Sequence, residues 1–277
     1  MKKILEVSGL TRIHGPECSQ CLNTALEPDP EDNRCRQCGS VVAARDISFE
    51  LYEGEIMGVM GESGSGKSTL VKTLFFDDQP TSGTAHYYHN GSSYSMFELN
   101  AARKRWFRYH CFGMVYQNPQ LGLNFMISAG GNIAERLLMN NVFHYREIRD
   151  RVSALLKRTQ VPSDRMDELP GNFSGGMQQR VQIAKALVSN PPLLFLDEVT
   201  TGLDVSVQAR ILDLILELQD QMQTTMIVVT HDLGVIRLLT GRALVMKCGR
   251  VVESGLTDQI LEDPQHPYTQ RLVSSAL

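Results

Sequence analysis

Apolar runs bounded by glycine or polar turns alternate with amphipathic stretches along this chain, and the alternation sets the expected elements. Residues 4–7 and 46–51 read as short strands, and Glu55-Ile-Met-Gly-Val-Met60 as a buried one. A glycine-rich turn then opens onto a helical run, Lys67–Phe76. Residues 96–190 read as mostly helical, with breaks at Pro119, Gly130-Gly131, Pro162 and Pro170. Strand and helix alternate after that: Leu193–Asp197, Val205–Gln221, Thr225–Thr230, Asp232–Leu239, Ala243–Lys247 and Val251–Glu253. Such alternation predicts an α/β protein with a largely parallel sheet and crossover helices. Residues 15–42 stand apart, with Pro28, Pro30 and the acids Glu27, Asp29, Glu31 and Asp32.

Gly61-Glu62-Ser63-Gly64-Ser65-Gly66-Lys67-Ser68 fits G-x-x-x-x-G-K-[ST] between an expected strand and an expected helix, the context that phosphate-loop motif requires. Its glycines let successive backbone N–H groups approach phosphate oxygens, and the following helix, through Thr69, adds its positive end. Lys67 supplies a cation for the β- and γ-phosphates, and the Ser68 hydroxyl a magnesium ligand. Alone, the same residues would also make a flexible Gly/Ser turn. Leu193-Leu-Phe-Leu-Asp197-Glu198 is an apolar strand ending in two acids. In a parallel sheet it delivers them beside the phosphate loop, Asp197 to the magnesium shell and Glu198 to orient and deprotonate an attacking water. A buried strand running into a polar turn often ends in acids for no catalytic reason, so this reading leans on the phosphate loop.

Asn172-Phe-Ser174-Gly175-Gly176-Met-Gln178-Gln179-Arg180 lies between those motifs, and with it the chain resembles the ATP-binding-cassette (ABC) ATPase family, whose signature is S-G-G-x-Q. Gln117 looks like the family's Q-loop glutamine, Leu203-Asp204 its D-loop and His231 its switch histidine; the likeness covers almost everything outside residues 15–42. It implies an ABC-type P-loop ATPase core with an antiparallel β portion, a helical subdomain at 96–180 and a helical tail at 256–277. It implies too a homodimer in which Ser174, Gly175 and Gly176 of one chain close over ATP held by the other, with Gln178 and Asp204 also cofactor-binding and Lys67, Glu198 and His231 catalytic. Magnesium would then be held by Ser68, Gln117 and Asp197. Two positions depart from the pattern. Val199 stands where the family has proline, which should loosen the turn after Glu198, and His14 replaces an aromatic residue that stacks on adenine. A histidine ring stacks more weakly and with pH-dependent charge.

Three stretches, Ser128–Arg136, Gly202–Arg210 and Val251–Asp258, resemble the cassette proteins of bacterial phosphonate carbon–phosphorus lyase systems, and an end at Leu277 is also expected of that branch. This implies work on a soluble carbon–phosphorus lyase core, and it allows a second cassette protein in the assembly. The tail Asp263-Pro-Gln-His-Pro-Tyr-Thr269 is instead similar to that of peptide and nickel importer ATPases, which leaves an importer subunit coupled to a permease as the alternative. Arg103–Arg108 reads either as partner-facing or as a solvated basic helix face around buried Trp106 and Phe107.

Composition narrows the field. With 27 Lys and Arg against 31 Asp and Glu, a net charge of −4 argues against a dedicated nucleic-acid binder. No apolar run approaches a membrane span, and Glu6 breaks the only apolar start a signal peptide could use, so a cytoplasmic chain is expected. Paired cysteines in that setting are metal ligands more readily than disulfides. Cys18-x-x-Cys21 and, thirteen residues on, Cys35-x-x-Cys38 have the spacing of a tetrahedral zinc ribbon, a closed structural site inserted at 15–42. A rubredoxin-like iron site or a redox-active dithiol pair uses the same spacing. A docking or dimer-bracing knob near the adenine end is the expected role. Cys111 and Cys248 read as inert core residues in strand-like contexts.

Overall fold

A computed structural model describes residues 2–22 and 32–275. Glu27 to Glu31 of the proline-bearing stretch, and Ala276 and Leu277 of the expected tail, lie outside the described residues. The chain forms two compact units, residues 1–104 with 227–277, and residues 105–226.

In the first unit β1 (Lys3–His14) and β2 (Val41–Tyr52) pair antiparallel, His14 opposite Val41 and Lys3 opposite Tyr52. Leu5, Val7, Leu10 and Ile13 point into the core. Both strands outrun the short runs expected from sequence. Register shifts beside Leu10 break the two-residue alternation on which the expectation depends. Between the strands lies the cysteine segment with one helical turn, α1 (Ser19–Leu22). The fully buried β3 (Ile56–Met60) runs into α2 (Lys67–Leu74). A hairpin not expected from sequence follows, β4 (Ser82–His89) and β5 (Ser92–Ser95). Its polar residues carry no apolar alternation, but its Asn90-Gly91 turn has φ of 50° and 78°, which suits a tight hairpin. The four strands lie in the order β2-β1-β4-β5.

Helix α3 (Ala101–His110) carries the chain across the unit boundary. The second unit holds β6 (Phe112–Val115), α4 (Pro119–Gly122), α5 (Ala129–Met139), α6 (Tyr145–Arg158), α7 (Gly175–Leu187), β7 (Leu193–Asp197) and α8 (Val205–Met222). Strand β6 interrupts the stretch expected to be mostly helical at 96–190. It pairs parallel with β7, Phe112 opposite Leu193. Four apolar residues cannot be told from a helical turn by periodicity alone. Ile133, Leu137, Val152, Leu156, Val181 and Ala184 form the core shared by α5, α6 and α7. Through it reaches Arg136, whose guanidinium donates to the carbonyls of Arg108 (2.9 Å), Tyr109 (3.2 Å) and Phe112 (2.5 Å). Burial pulls its pKa down to about 10. On α3 only Phe107 is buried, at 1% exposure; Trp106, expected inside with it, is 38% exposed and stacks on His110. Neighbours on a helix point about 100° apart, so one of the pair faces outward.

The unit boundary falls within β8 (Thr225–Thr230), after which α9 (Leu233–Leu239), β9 (Arg242–Lys247), β10 (Arg250–Leu256), α10 (Thr257–Glu262) and α11 (Pro267–Ser274) complete the first unit. β9 is parallel to β3 and antiparallel to β10. Cys248 does not sit in a strand as expected: it is half-buried in the β9–β10 turn, with φ of 46° beside Gly249 at 79°. Cys111 is buried. Ile260, Leu261 and Tyr268 of the tail pack on Met60 and Val245. No described helix is long and apolar enough to cross a membrane.

Candidate functional site: a phosphate loop, a carboxylate cluster and four thiols

Residues 61–66 join β3 to α2 as the motif requires. Gly61 and Gly66 adopt φ of 146° and 101°, and a Cβ on either would strike the carbonyl of Met246 or of Ala43. Only glycine fits both the backbone conformation and the space. Lys67 is 3% exposed, with its ammonium donating to the carbonyls of Gly61 and Glu62, each at 2.8 Å. Its charge is thus held across the loop. Ser68 and Thr69 follow on the first turn of α2, where helix-end amides favour anions.

Two contacts brace this loop from outside. The Gly249 N–H donates to the Ser65 carbonyl (2.9 Å), and the Gly249 carbonyl accepts from the Arg45 N–H (2.7 Å). The Glu62 N–H donates to the Tyr268 hydroxyl oxygen at 3.0 Å. Burial raises the Tyr268 pKa, which keeps the phenol neutral. Tyr268→Phe removes that one acceptor and leaves the ring in place. Loss of one hydrogen bond, about 1 kcal/mol, predicts about fivefold weaker ATP binding with little change in thermal stability. Equilibrium titration of a fluorescent ATP analogue checks this; unchanged affinity would show that the tail does not support the loop.

Also in the first unit, His14 ends β1 half-exposed, with Nε2 3.7 Å from Asp78, whose carboxylate pairs with Arg12 at 2.7 Å. His231 is exposed directly after β8, and the following Asp232 caps α9 by accepting from the N–H groups of Gly234 (2.8 Å) and Val235 (3.3 Å).

In the second unit Asp197, 2% exposed, ends β7, and Glu198 follows at 9%. The structure brings Gln117 and Glu198 together: Gln117 Nε2 donates to Glu198 Oε2 at 2.9 Å, and Thr201 Oγ1 donates to the same oxygen at 3.2 Å. Glu198 has φ of 47°, a left-handed conformation that costs a non-glycine residue about 1 kcal/mol or more. A following proline would disfavour it; Val199, buried at 3%, imposes no such restriction.

Ser174 caps α7, its hydroxyl accepting from the Met177 N–H at 3.4 Å, so the amides of Gly175 and Gly176 open the helix. A Cβ on Gly176 would lie 3.2 Å from Val207 and 3.6 Å from Leu203. The Gln178 amide donates to the carbonyls of Pro170 and Phe173, both at 3.0 Å, and so fastens the loop that carries Ser174. Asp204 is exposed at the start of α8 and makes no side-chain cap bond. Sequence reasoning missed Gln182 and Gln179. Gln182 accepts from the Tyr116 N–H (2.6 Å) and donates to the Tyr116 carbonyl (3.0 Å), while Gln179 reaches that carbonyl at 3.3 Å. The signature helix thereby grips the residue before Gln117. Two amides three residues apart on the apolar face of α7 were the available signal.

Cys18, Cys21, Cys35 and Cys38 present four sulfurs within 4.8 Å of one another. Cys18 and Cys35 are 3.5 Å apart and Cys21 and Cys38 3.9 Å, with all four thiols free. A disulfide needs about 2.0 Å. A tetrahedron of Zn–S bonds near 2.3 Å has edges of about 3.8 Å, which these separations approach. Hydrogen bonding with Ser40, through its side chain and backbone, brings Cys38 down to about 6, toward the thiolate a metal takes.

Residues 44–201 match the family model described as ABC transporter. The chain is 53% identical to the ATP-binding protein PhnK of Escherichia coli (strain K12), a protein named for phosphonates utilization, across 84% of this chain and 90% of that one. It is 40% identical to a protein of Brucella abortus (strain 2308) named for peptide import, across 86% of this chain and 72% of that one. Among solved structures it is similar to a dimeric ATP-binding cassette in a post-hydrolysis state bound to ADP and Pi, with TM-score 0.76 and 26% identity over 92% of this chain and 99% of the other.

Proposed function

This chain belongs to the ABC transporter family of ATP-hydrolysing cassettes, and from that premise we propose that it couples hydrolysis to conformational work on a phosphonate carbon–phosphorus lyase core. One observation carries the choice of system: the 53% identity to the phosphonate-utilization protein extends over 90% of that relative, against 40% over 72% for the peptide-import protein.

In this reading ATP is sandwiched between two copies of the chain. Gly61–Thr69 and Lys67 hold its phosphates in one copy, Ser174–Gly176 and Asp204 approach from the other, and His14 stacks on adenine. Glu198 takes the proton of the attacking water and His231 faces the γ-phosphate. Magnesium fits the donors present, because a carboxylate, a hydroxyl and a side-chain amide oxygen are the hard oxygen ligands it takes. Ser68, Gln117 and Asp197 would hold it, and it would neutralise developing phosphate charge. Gln178 stands with the signature residues at the nucleotide and fastens their loop, while Gln179 and Gln182 position the backbone beside Gln117.

The four thiols are proposed to hold Zn²⁺ as a closed structural site, since four soft ligands leave no open position for substrate. A partner surface is available on the second unit, where Leu138, Phe143, Tyr145, Ile148 and Arg149 line a hollow of about 370 Å³. A cytoplasmic location follows from a soluble partner. Purification of the Glu198→Gln variant with ATP from the native host tests the assignment. Soluble carbon–phosphorus lyase subunits in the eluate support it; a membrane permease in their place would make the chain an importer subunit.

A further inference from the structure

The opening residues of β2 form a wall with the cysteine cluster on one side and the phosphate loop on the other. Val42, 5% exposed, packs with Ile13, Cys21 and Cys35. Next to it, the Ala43 carbonyl stands where Gly66 has no room for a Cβ, and a Cβ on Gly249 would lie 2.5 Å from the Val42 carbonyl. Residues that touch the thiols and residues that press on the loop are therefore consecutive in one strand, as the two-sided geometry of a strand allows.

Two hydrogen-bonded routes cross this wall. Arg45, 6% exposed, sends its guanidinium to the Cys21 carbonyl at 3.4 Å. Its own N–H donates to Gly249, whose N–H donates to Ser65 of the loop. The second route runs through Asn33, between the two cysteine pairs. Its carbonyl accepts from the Val42 N–H at 2.8 Å, and its side-chain amide donates to the Gly64 carbonyl at 3.5 Å. Apolar burial adds little to these hydrogen bonds among the described residues of the segment. From Cys18 to Cys38, the buried side chains among the described residues are those of Cys21 and Cys35, and Leu22 is 49% exposed. A segment so poor in apolar burial depends on its metal for a fold.

We propose that metal occupancy of the Cys18–Cys21–Cys35–Cys38 cluster sets the affinity of the phosphate loop for nucleotide, through β2 residues 42–45 and Asn33. The proposal rests on the zinc reading above and extends it from a structural insert to a control on the ATP site. With a metal in place, Val42 and the Cys21 carbonyl are fixed and the loop carbonyls of Gly64 and Ser65 are held. Without it, nothing bonds the four sulfurs to one another and both routes lose their outer anchor, so the loop must be ordered at the expense of nucleotide binding.

The experiment measures metal content and the affinity for a fluorescent ATP analogue on the same full-length samples. Protein as purified is compared with protein stripped by a thiol-blocking mercurial and chelator, then returned to reductant, and with the stripped protein after one equivalent of Zn²⁺. Stripping is expected to weaken binding about tenfold, equal to 1.4 kcal/mol, and Zn²⁺ to restore it. Arg45→Met and Asn33→Ala in metal-loaded protein are expected to weaken binding severalfold while the metal stays at one equivalent. Unchanged affinity after verified metal loss overturns the proposal and leaves the zinc reading standing. Protein that neither carries nor takes up metal overturns both. Should stripping unfold the chain, the two loaded variants decide: full affinity in both overturns the proposal.

Discussion

Replacing Glu198 by glutamine is expected to lower steady-state ATP turnover by about 10²- to 10⁴-fold, the contribution of a positioned general base. ATP affinity should remain within about twofold of the parent. The substitution removes the proton acceptor and little else. A glutamine carbonyl can accept the Gln117 and Thr201 hydrogen bonds that Glu198 Oε2 accepts now, and Val199 still permits the left-handed backbone. The variant should therefore melt close to the parent and bind nucleotide normally. Single-turnover measurement separates this outcome from slowed product release, because loss of the base lowers the chemical step itself. Turnover equal to the parent's would remove Glu198 from the chemistry.

The second large effect is expected at the cysteine cluster. Cys35→Ser should reduce bound zinc from about one equivalent per chain to less than half, because a serine hydroxyl is a poor substitute for a thiolate on Zn²⁺. Cys35 is 8% exposed and 3.5 Å from Cys18, so it cannot leave the ligand set without opening it. Structural zinc contributes roughly 10–16 kcal/mol in small peptides, far more than the sparse apolar burial of this segment. Metal analysis under reducing conditions checks the central point. Less than half an equivalent in the parent would remove the zinc reading, and iron in its place would make the cluster rubredoxin-like.

The elements that sequence reveals are those whose chemistry is local. The phosphate loop is legible because its glycines, lysine and serine must be contiguous, and the strand before it is uniformly apolar. The four cysteines are legible because two short spacings dictate two knuckles. Strands β4 and β5 are not, since residues such as Ser92, Ser93 and Ser95 earn their place by pairing with a neighbour rather than by an apolar pattern. Nor is β6, whose four apolar residues fit helix and strand alike.

Side-chain roles that depend on long-range packing escape in the same way. The hydrogen bonds by which the Gln178 amide fastens the loop before Ser174 are one case. Gln182, which the motif does not mark, holds the backbone beside Gln117 from 66 residues away in sequence. The turn at Val199, expected from its sequence context to be loosened, carries a hydrogen bond from the Thr201 N–H to the Glu198 carbonyl at 3.2 Å.

The central claim is that ATP draws two copies of this chain together, each supplying parts of the other's site. Its most direct test is the solution mass of the Glu198→Gln variant with and without Mg-ATP. A species of 31.0 kDa is expected without nucleotide and one of twice that mass with it. Protein that binds ATP and stays at the mass of one chain would rule out a site shared between two copies.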